Sequence, residues 1–167
     1  GEYAFAYCDV LTSATIGQGV KTLGKSAFSG CGLLKEIILP NALTAIGDNA
    51  FYGCKSLETA TLGSGLTSIG NGAFESCKSL KEIAIPESIN SMGNRVFKDC
   101  TSLTSATNII VKDYILENCI SLVNLTINEK TTIISTCAFN SCSSIKEIVI
   151  PEGVTIIRSS AFNGCKT

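Results

Sequence analysis

Cysteine stands at positions 8, 31, 54, 77, 100, 119, 142 and 165, so six of the seven intervals are 23 residues and the other is 19. An interval held that often describes one small unit stacked on itself. A globular core has no reason to keep such spacing. Counted from each cysteine, the unit is Cys-x-x-Leu-x-x-Ile-x-Ile-Pro-x-x-Val-Thr-x-Ile-Gly-x-x-Ala-Phe-x-x. Leu or Ile follows three residues later, at Leu11, Leu34, Leu57, Leu80, Leu103, Leu122 and Ile145. Pairs such as Ile37/Leu39, Ile83/Ile85, Leu125/Ile127 and Ile148/Ile150 then alternate with outward residues, which is the period of a strand. Pro40, Pro86 and Pro151 end that strand, and Gly17, Gly63 and Asn128 hold the same place elsewhere.

A second short apolar pair follows (Leu43/Ile46, Leu66/Ile69, Val154/Ile157), and then Gly24, Gly47, Gly70 and Gly93 turn the chain. Asp48, Asn71, Asn94, Asp113, Thr136 and Ser159 come next, two residues before the alanine position, where side chains of this type cap helices. One helical turn is expected there, with alanine and cysteine four apart on its inner face. Phe28, Phe51, Phe74, Phe97, Phe139 and Phe162 fill the widest part of the core. Each unit buries about five to seven apolar side chains, roughly 1.5–3 kcal/mol apiece before entropy is subtracted. One unit cannot fold alone; several stacked can.

Leu34-x-x-Ile37-x-Leu39-Pro40 resembles the strand signature of leucine-rich repeats. Joined to Ile-Gly-x-x-Ala-Phe-x-x-Cys at a period of 23, it is similar to the BspA-like subfamily, also called the Treponema pallidum type. The resemblance covers nearly all of 1–167. It implies a single domain of about seven repeats: a right-handed, curved solenoid with parallel strands on its concave face and short helical turns. It also implies large surface or secreted proteins, several of them adhesive, and hence a cell-surface or extracellular location. The chain opens on the tail of one repeat and stops just after another begins, so a segment of a longer protein is expected. The unit from Cys100 to Cys119 departs from the pattern: it lacks four residues after its strand and carries Ile115-Leu116 for Ala-Phe. Either a tolerated loop deletion or a binding notch fits.

The outward strand residues lie four, five and seven places after each cysteine. They begin Thr12-Ser13/Thr15, Lys35-Glu36/Ile38, Glu58-Thr59/Thr61 and Lys81-Glu82/Ala84, and continue Thr104-Ser105/Thr107, Val123-Asn124/Thr126 and Lys146-Glu147/Val149. Lys-Glu units alternate with hydroxyl-rich units, which implies a 46-residue super-repeat. These side chains form the candidate face for a protein partner, of the extracellular-matrix or cell-surface class. The absence of Trp and the scarcity of Arg predict weak contact per rung, strengthened by many rungs. A structural spacer, or an accessory segment of a larger enzyme, are the competing readings.

The remaining motifs carry little. Net charge is −1 with Lys and Glu interspersed, so no footprint for nucleic acid or anionic lipid exists. No apolar run nears the ~20 residues of a membrane span, so this segment is not expected to insert. Without histidine the usual serine triad is impossible, and no Cys-x-x-Cys suggests zinc, so no enzyme, metal or cofactor site is expected. Glu36, Glu58 and Glu82 lie near one another on successive rungs, but recur with the repeat beside Lys35 and Lys81, as a solvated face does. Gly19-Val20-Lys21-Thr22-Leu23-Gly24-Lys25-Ser26 satisfies the phosphate-loop pattern, yet it is ordinary repeat with no long helix after it, so nucleotide binding is not expected. Asn124-Leu125-Thr126 is a sequon in a chain rich in such residues. The cysteines should form a ladder of reduced, buried thiols, since equivalent side chains on neighbouring rungs point in parallel. Cys137 lies outside that ladder.

Overall fold

Apolar alternation on successive units requires each strand to lie beside the same strand of the next unit, and the computed structural model, which describes residues 1–166, has that arrangement. The strands are β1 (Ser13–Thr15), β2 (Thr22–Leu23), β3 (Glu36–Ile38), β4 (Ala45–Ile46), β5 (Thr59–Thr61) and β6 (Ser68–Ile69), then β7 (Glu82–Ala84), β8 (Ser91–Met92), β9 (Ser105–Ile109), β10 (Asn124–Ile127), β11 (Ile133–Ile134) and β12 (Ile156–Ile157). A six-stranded parallel sheet runs β1-β3-β5-β7-β9-β10. Its register steps by the repeat: Ser13 faces Glu36, Glu36 faces Thr59, Thr59 faces Glu82 and Glu82 faces Ser105. The step then falls to 19, with Ser105 facing Asn124. The second apolar pairs build a parallel β2-β4-β6-β8 sheet and a separate β11-β12 pair.

The expected helical turn is absent: no helix occurs among the described residues. Two backbone facts replace it. The residues five and one places before each cysteine have positive φ, as at Ser26 (54°) and Gly30 (76°), or Arg95 (58°) and Asp99 (61°). Left-handed residues four apart break any run of helical dihedrals. Alternate N–H groups therefore leave the rung: Ser26, Phe28 and Gly30 donate to carbonyls of Asp48, Ala50 and Tyr52, while Ala27, Ser29 and Cys31 close local turns. The column is a ladder of turns, hydrogen-bonded forward to the next rung.

The cap-type residues serve that ladder. Asp48 Oδ1 accepts from Asn71 N–H (2.6 Å), Asn71 Oδ1 from Asn94 N–H (2.9 Å) and Asp113 Oδ1 from Thr136 N–H (3.0 Å). Each side chain thus satisfies the backbone of the following rung in place of a helix N-terminus. The glycine column lies at the closest approach of the rungs. A Cβ at Gly70 would come within 2.5 Å of the Asp48 backbone nitrogen, so no other residue fits without displacing backbone.

Between the sheets and the turns runs one apolar core. Rings of Phe5, Phe28, Phe51, Phe74 and Phe97 stack in sequence at centroid distances of 4.9, 5.5, 5.1 and 5.6 Å. Leu116 interrupts the stack, fully buried, and Phe139–Phe162 resumes it at 5.3 Å. Cys54, Cys77, Cys100, Cys119 and Cys142 are completely buried, and all nine cysteines are free thiols. They are more than small apolar fillers. Each ladder thiol from Cys31 onward donates to a carbonyl of the preceding rung, at 3.0 Å for Cys31 to Phe5 and 3.2 Å for Cys54 to Phe28 and Cys77 to Phe51.

The 19-residue unit loses its share of the second sheet. After β9 the chain passes through Ile110–Lys112 directly into the turn column, and no strand bridges β8 to β11. The turn column itself is unbroken there, with Arg95 N–H donating to Asp113 and Tyr114 N–H to Thr136.

Candidate protein-interaction face

Period-two alternation puts Ile37, Ile83 and Ala106 into the core and leaves their neighbours outside on the six-stranded sheet. Lys35, Glu36, Ile38, Thr59, Thr61, Lys81, Glu82, Ala84, Thr104, Asn124 and Thr126 are exposed, while Glu58, Ser105 and Thr107 are half-buried. They stand in three columns one rung apart. Lys146, Glu147 and Val149 are exposed too, but their segment forms no strand, so the hydrogen-bonded sheet stops at β10.

Charge is staggered along the columns. Lys35, Glu58 and Lys81 alternate in one, and Lys81 Nζ reaches Glu58 Oε2 at 2.5 Å. That ion pair holds the Glu58 carboxyl below the usual carboxylate range, chiefly through the hydrogen bond from Lys81. Lys81 is exposed and about half of the Glu58 side chain remains in solvent, so the pair orders the surface more than it stabilises the fold. In the next column Glu36 faces Thr59, which faces Glu82. Threonine separates the two carboxylates by two rungs, roughly 9–10 Å. Of the three glutamates flagged in the sequence, Glu36 and Glu82 are thus held apart, and Glu58 in the neighbouring column is paired with Lys81.

Three shallow depressions mark the face, the widest of them, about 580 Å³, over Thr12, Ser13, Lys35, Glu36, Glu58 and Thr59, and two others give it relief. One, about 350 Å³, lies over Thr59, Thr61, Glu82, Ala84, Ser105 and Thr107, where Ala84 is the smallest outward residue of its column. The other, about 480 Å³, includes Glu36, Ile38, Asn41 and Thr61. Ile38, 62% exposed, stands as an apolar post between hydroxyl-bearing rungs. Asn124 and Thr126 of the sequon lie on the same face.

The phosphate-loop pattern forms no cradle. Thr22–Leu23 within it is strand β2, and Gly24 is covered by the backbone of Gly1 and Glu2. Burial pushes the Cys54 and Cys142 thiols up to about 12 and holds those of Cys77, Cys100 and Cys119 far above the ordinary range. Such thiols are poor nucleophiles. Cys137 is half-buried in a left-handed turn position (φ 52°). Among the described residues no group of three or more His, Cys, Asp or Glu is placed to hold a metal ion, and no helix is long and apolar enough to cross a membrane.

A profile of the BspA type leucine rich repeat region matches six copies, over residues 1–110 and 104–167. The chain belongs to the BspA-type leucine-rich repeat family. Crystal structures of two members share its fold closely. The T. pallidum leucine-rich repeat protein is 31% identical, with a TM-score of 0.80 over 87% of this chain and 70% of its own. A leucine-rich repeat protein from Bacteroides ovatus is 32% identical, with a TM-score of 0.87 over 99% of this chain. The present chain spans 43% of that Bacteroides protein. A leucine rich cell surface protein from Faecalibacterium prausnitzii, 22% identical, shares the fold at a TM-score of 0.51 over 99% of this chain and 68% of its own. No curated protein matches. BspA-type repeats are generally interaction scaffolds without catalytic machinery of their own.

Proposed function

We propose that this BspA-type solenoid is a non-catalytic protein-interaction module of a surface or secreted protein, adhesive in character, and that it engages extended protein partners through the six-stranded face. The observation that carries the reading is the parallel pairing of β1, β3, β5, β7, β9 and β10, in register from Ser13 to Leu125 before a shift at Ile127. It aligns exposed Thr, Ser, Lys and Glu side chains into columns across six rungs, about 24 Å at the usual strand spacing. Such a surface offers hydrogen bonds at regular intervals and few deep anchors, which suits contact distributed over many rungs. Lys35, Glu58, Lys81 and Glu82 set its polarity; Ile38 and the hollow at Ala84 supply its relief. The F. prausnitzii relative of the same fold is described as a cell surface protein, which supports the location.

The test is solid-phase binding of the chain to immobilised extracellular-matrix proteins and to cells, compared with a Thr61→Arg/Lys81→Glu variant. Saturable binding that the variant loses supports the proposal. No saturable binding, or binding unchanged in the variant, overturns it and favours a spacer role.

A further inference from the structure

The missing stretch of the 19-residue unit opens a cleft of about 330 Å³ on the side of the solenoid occupied by the second sheet. The backbone there is left unpaired. In every other adjacent pair of rungs in that sheet, two N–H groups donate to the preceding rung, as Thr67 does to Thr44 and Gly70 to Ile46. The equivalents at the cleft, Thr132 and Ser135, have no acceptor among the described residues, because no strand of the second sheet precedes β11 there. The matching carbonyls of Asn90 and Met92 on the far edge have no backbone donor either.

The side chains around this gap are cationic. The glycine column ends at Gly93, and the same column then carries Lys112, Ser135 and Arg158, all lining the cleft together with Lys130. None of the three cations belongs to either ion pair found among the described residues. Asp113 is the one carboxylate on the wall, and its Oδ1 is engaged by Thr136 N–H. Thr131, only 6% exposed, also lines the cleft, and its hydroxyl has no hydrogen-bond partner among the described residues. Unpaired donors, unpaired cations and an unpaired buried hydroxyl converge on one place.

The geometry points to a second binding site, distinct from the six-stranded face, that takes a short extended acidic segment of a partner protein. Carbonyls of the segment accept from Thr132 and Ser135 N–H, adding it to the free edge of β11, and its carboxylates lie against Lys112, Lys130 and Arg158. Strand addition provides main-chain affinity and the cations select for acidic sequence.

The test is an amide-resolved NMR titration of the ¹⁵N-labelled chain with a blocked hexapeptide of alternating valine and glutamate. Shifts and slowed hydrogen exchange at Thr132 and Ser135 are expected. A Lys130→Glu/Arg158→Glu variant, altered only at exposed positions, should bind about tenfold more weakly or worse. Inserting four residues after Ile109, which restores a 23-residue unit, should pair β8 with β11 through a new strand and abolish the shifts. Should that insertion not fold, the charge-reversed variant decides alone. The inference is overturned if Thr132 and Ser135 do not respond, if charge reversal leaves affinity unchanged, or if inorganic phosphate alone reproduces the same shifts at equal strength. Loss of partner binding in Thr61→Arg/Lys81→Glu leaves this site untouched, so the two proposals fail separately.

Discussion

Raising the pH should unfold this solenoid well before its backbone chemistry is threatened, because the folded state refuses to ionise its thiol column. Cys54, Cys77, Cys100, Cys119 and Cys142 have no exposed surface. Desolvation pushes Cys54 and Cys142 up to about 12 and the other three far above the ordinary range. In the unfolded chain the same thiols ionise near 8.5. A folded value raised above the unfolded one contributes stability that is complete below 8.5 and is lost as pH climbs toward 12. Once pH exceeds the unfolded value, each such thiol removes about 1.4 kcal/mol per pH unit. Five acting together remove roughly 7 kcal/mol by pH 9.5, comparable with the ~5–15 kcal/mol that holds an ordinary domain together. Urea unfolding followed by circular dichroism between pH 7.5 and 10, under reductant, should show the midpoint falling steeply above pH 8.5. Cys77→Ala should flatten the slope by about one fifth. A midpoint constant to pH 10, or a slope indifferent to Cys77→Ala, would refute the reasoning.

Phe74→Ala removes a fully buried ring stacked on both sides, at 5.1 Å from Phe51 and 5.6 Å from Phe97, and should destabilise by about 3–5 kcal/mol in the same urea assay. Gly70→Ala drives a methyl against the Asp48 backbone at 2.5 Å, so a loss of at least about 1–3 kcal/mol is expected by thermal melting, whereas Gly19→Ala, with open space around it, should be nearly silent. Thiol titration in denaturant should count nine groups, and seven or fewer would contradict a bridge-free ladder. In native buffer at neutral pH the fully buried thiols should react far more slowly than half-buried Cys137.

The strand columns and the core were legible because period-two alternation and the cysteine interval are both carried by side chains. Leu34, Ile37 and Leu39 announce their inward positions, and the outward columns follow from them. The turn column was misread for a physical reason. Its left-handed positions are held by Tyr7, Arg95, Asp99 and Tyr114 as well as by glycine, so no glycine pattern betrays them. Asp48 and Asn71 look like helix caps because both roles require a short acceptor near a free N–H; only the neighbouring rung decides which N–H that is. Lys146-Glu147-Ile148-Val149 carries the strand pattern yet forms no strand, and nothing in the structure explains this. The cleft did leave a mark in the sequence. Glycine gives way after Gly93 to Lys112, Ser135 and Arg158, the residues that line the cleft.

The short unit also reveals which portion of this architecture tolerates editing. Four residues vanish on the β2-to-β12 flank, yet the turns on either side of Asp113 stay coupled and the sulfur at 119 still reaches the Phe97 carbonyl at 3.2 Å. The turn column and the sulfur ladder therefore tolerate the loss of four residues on that flank, whereas the second sheet is broken by it.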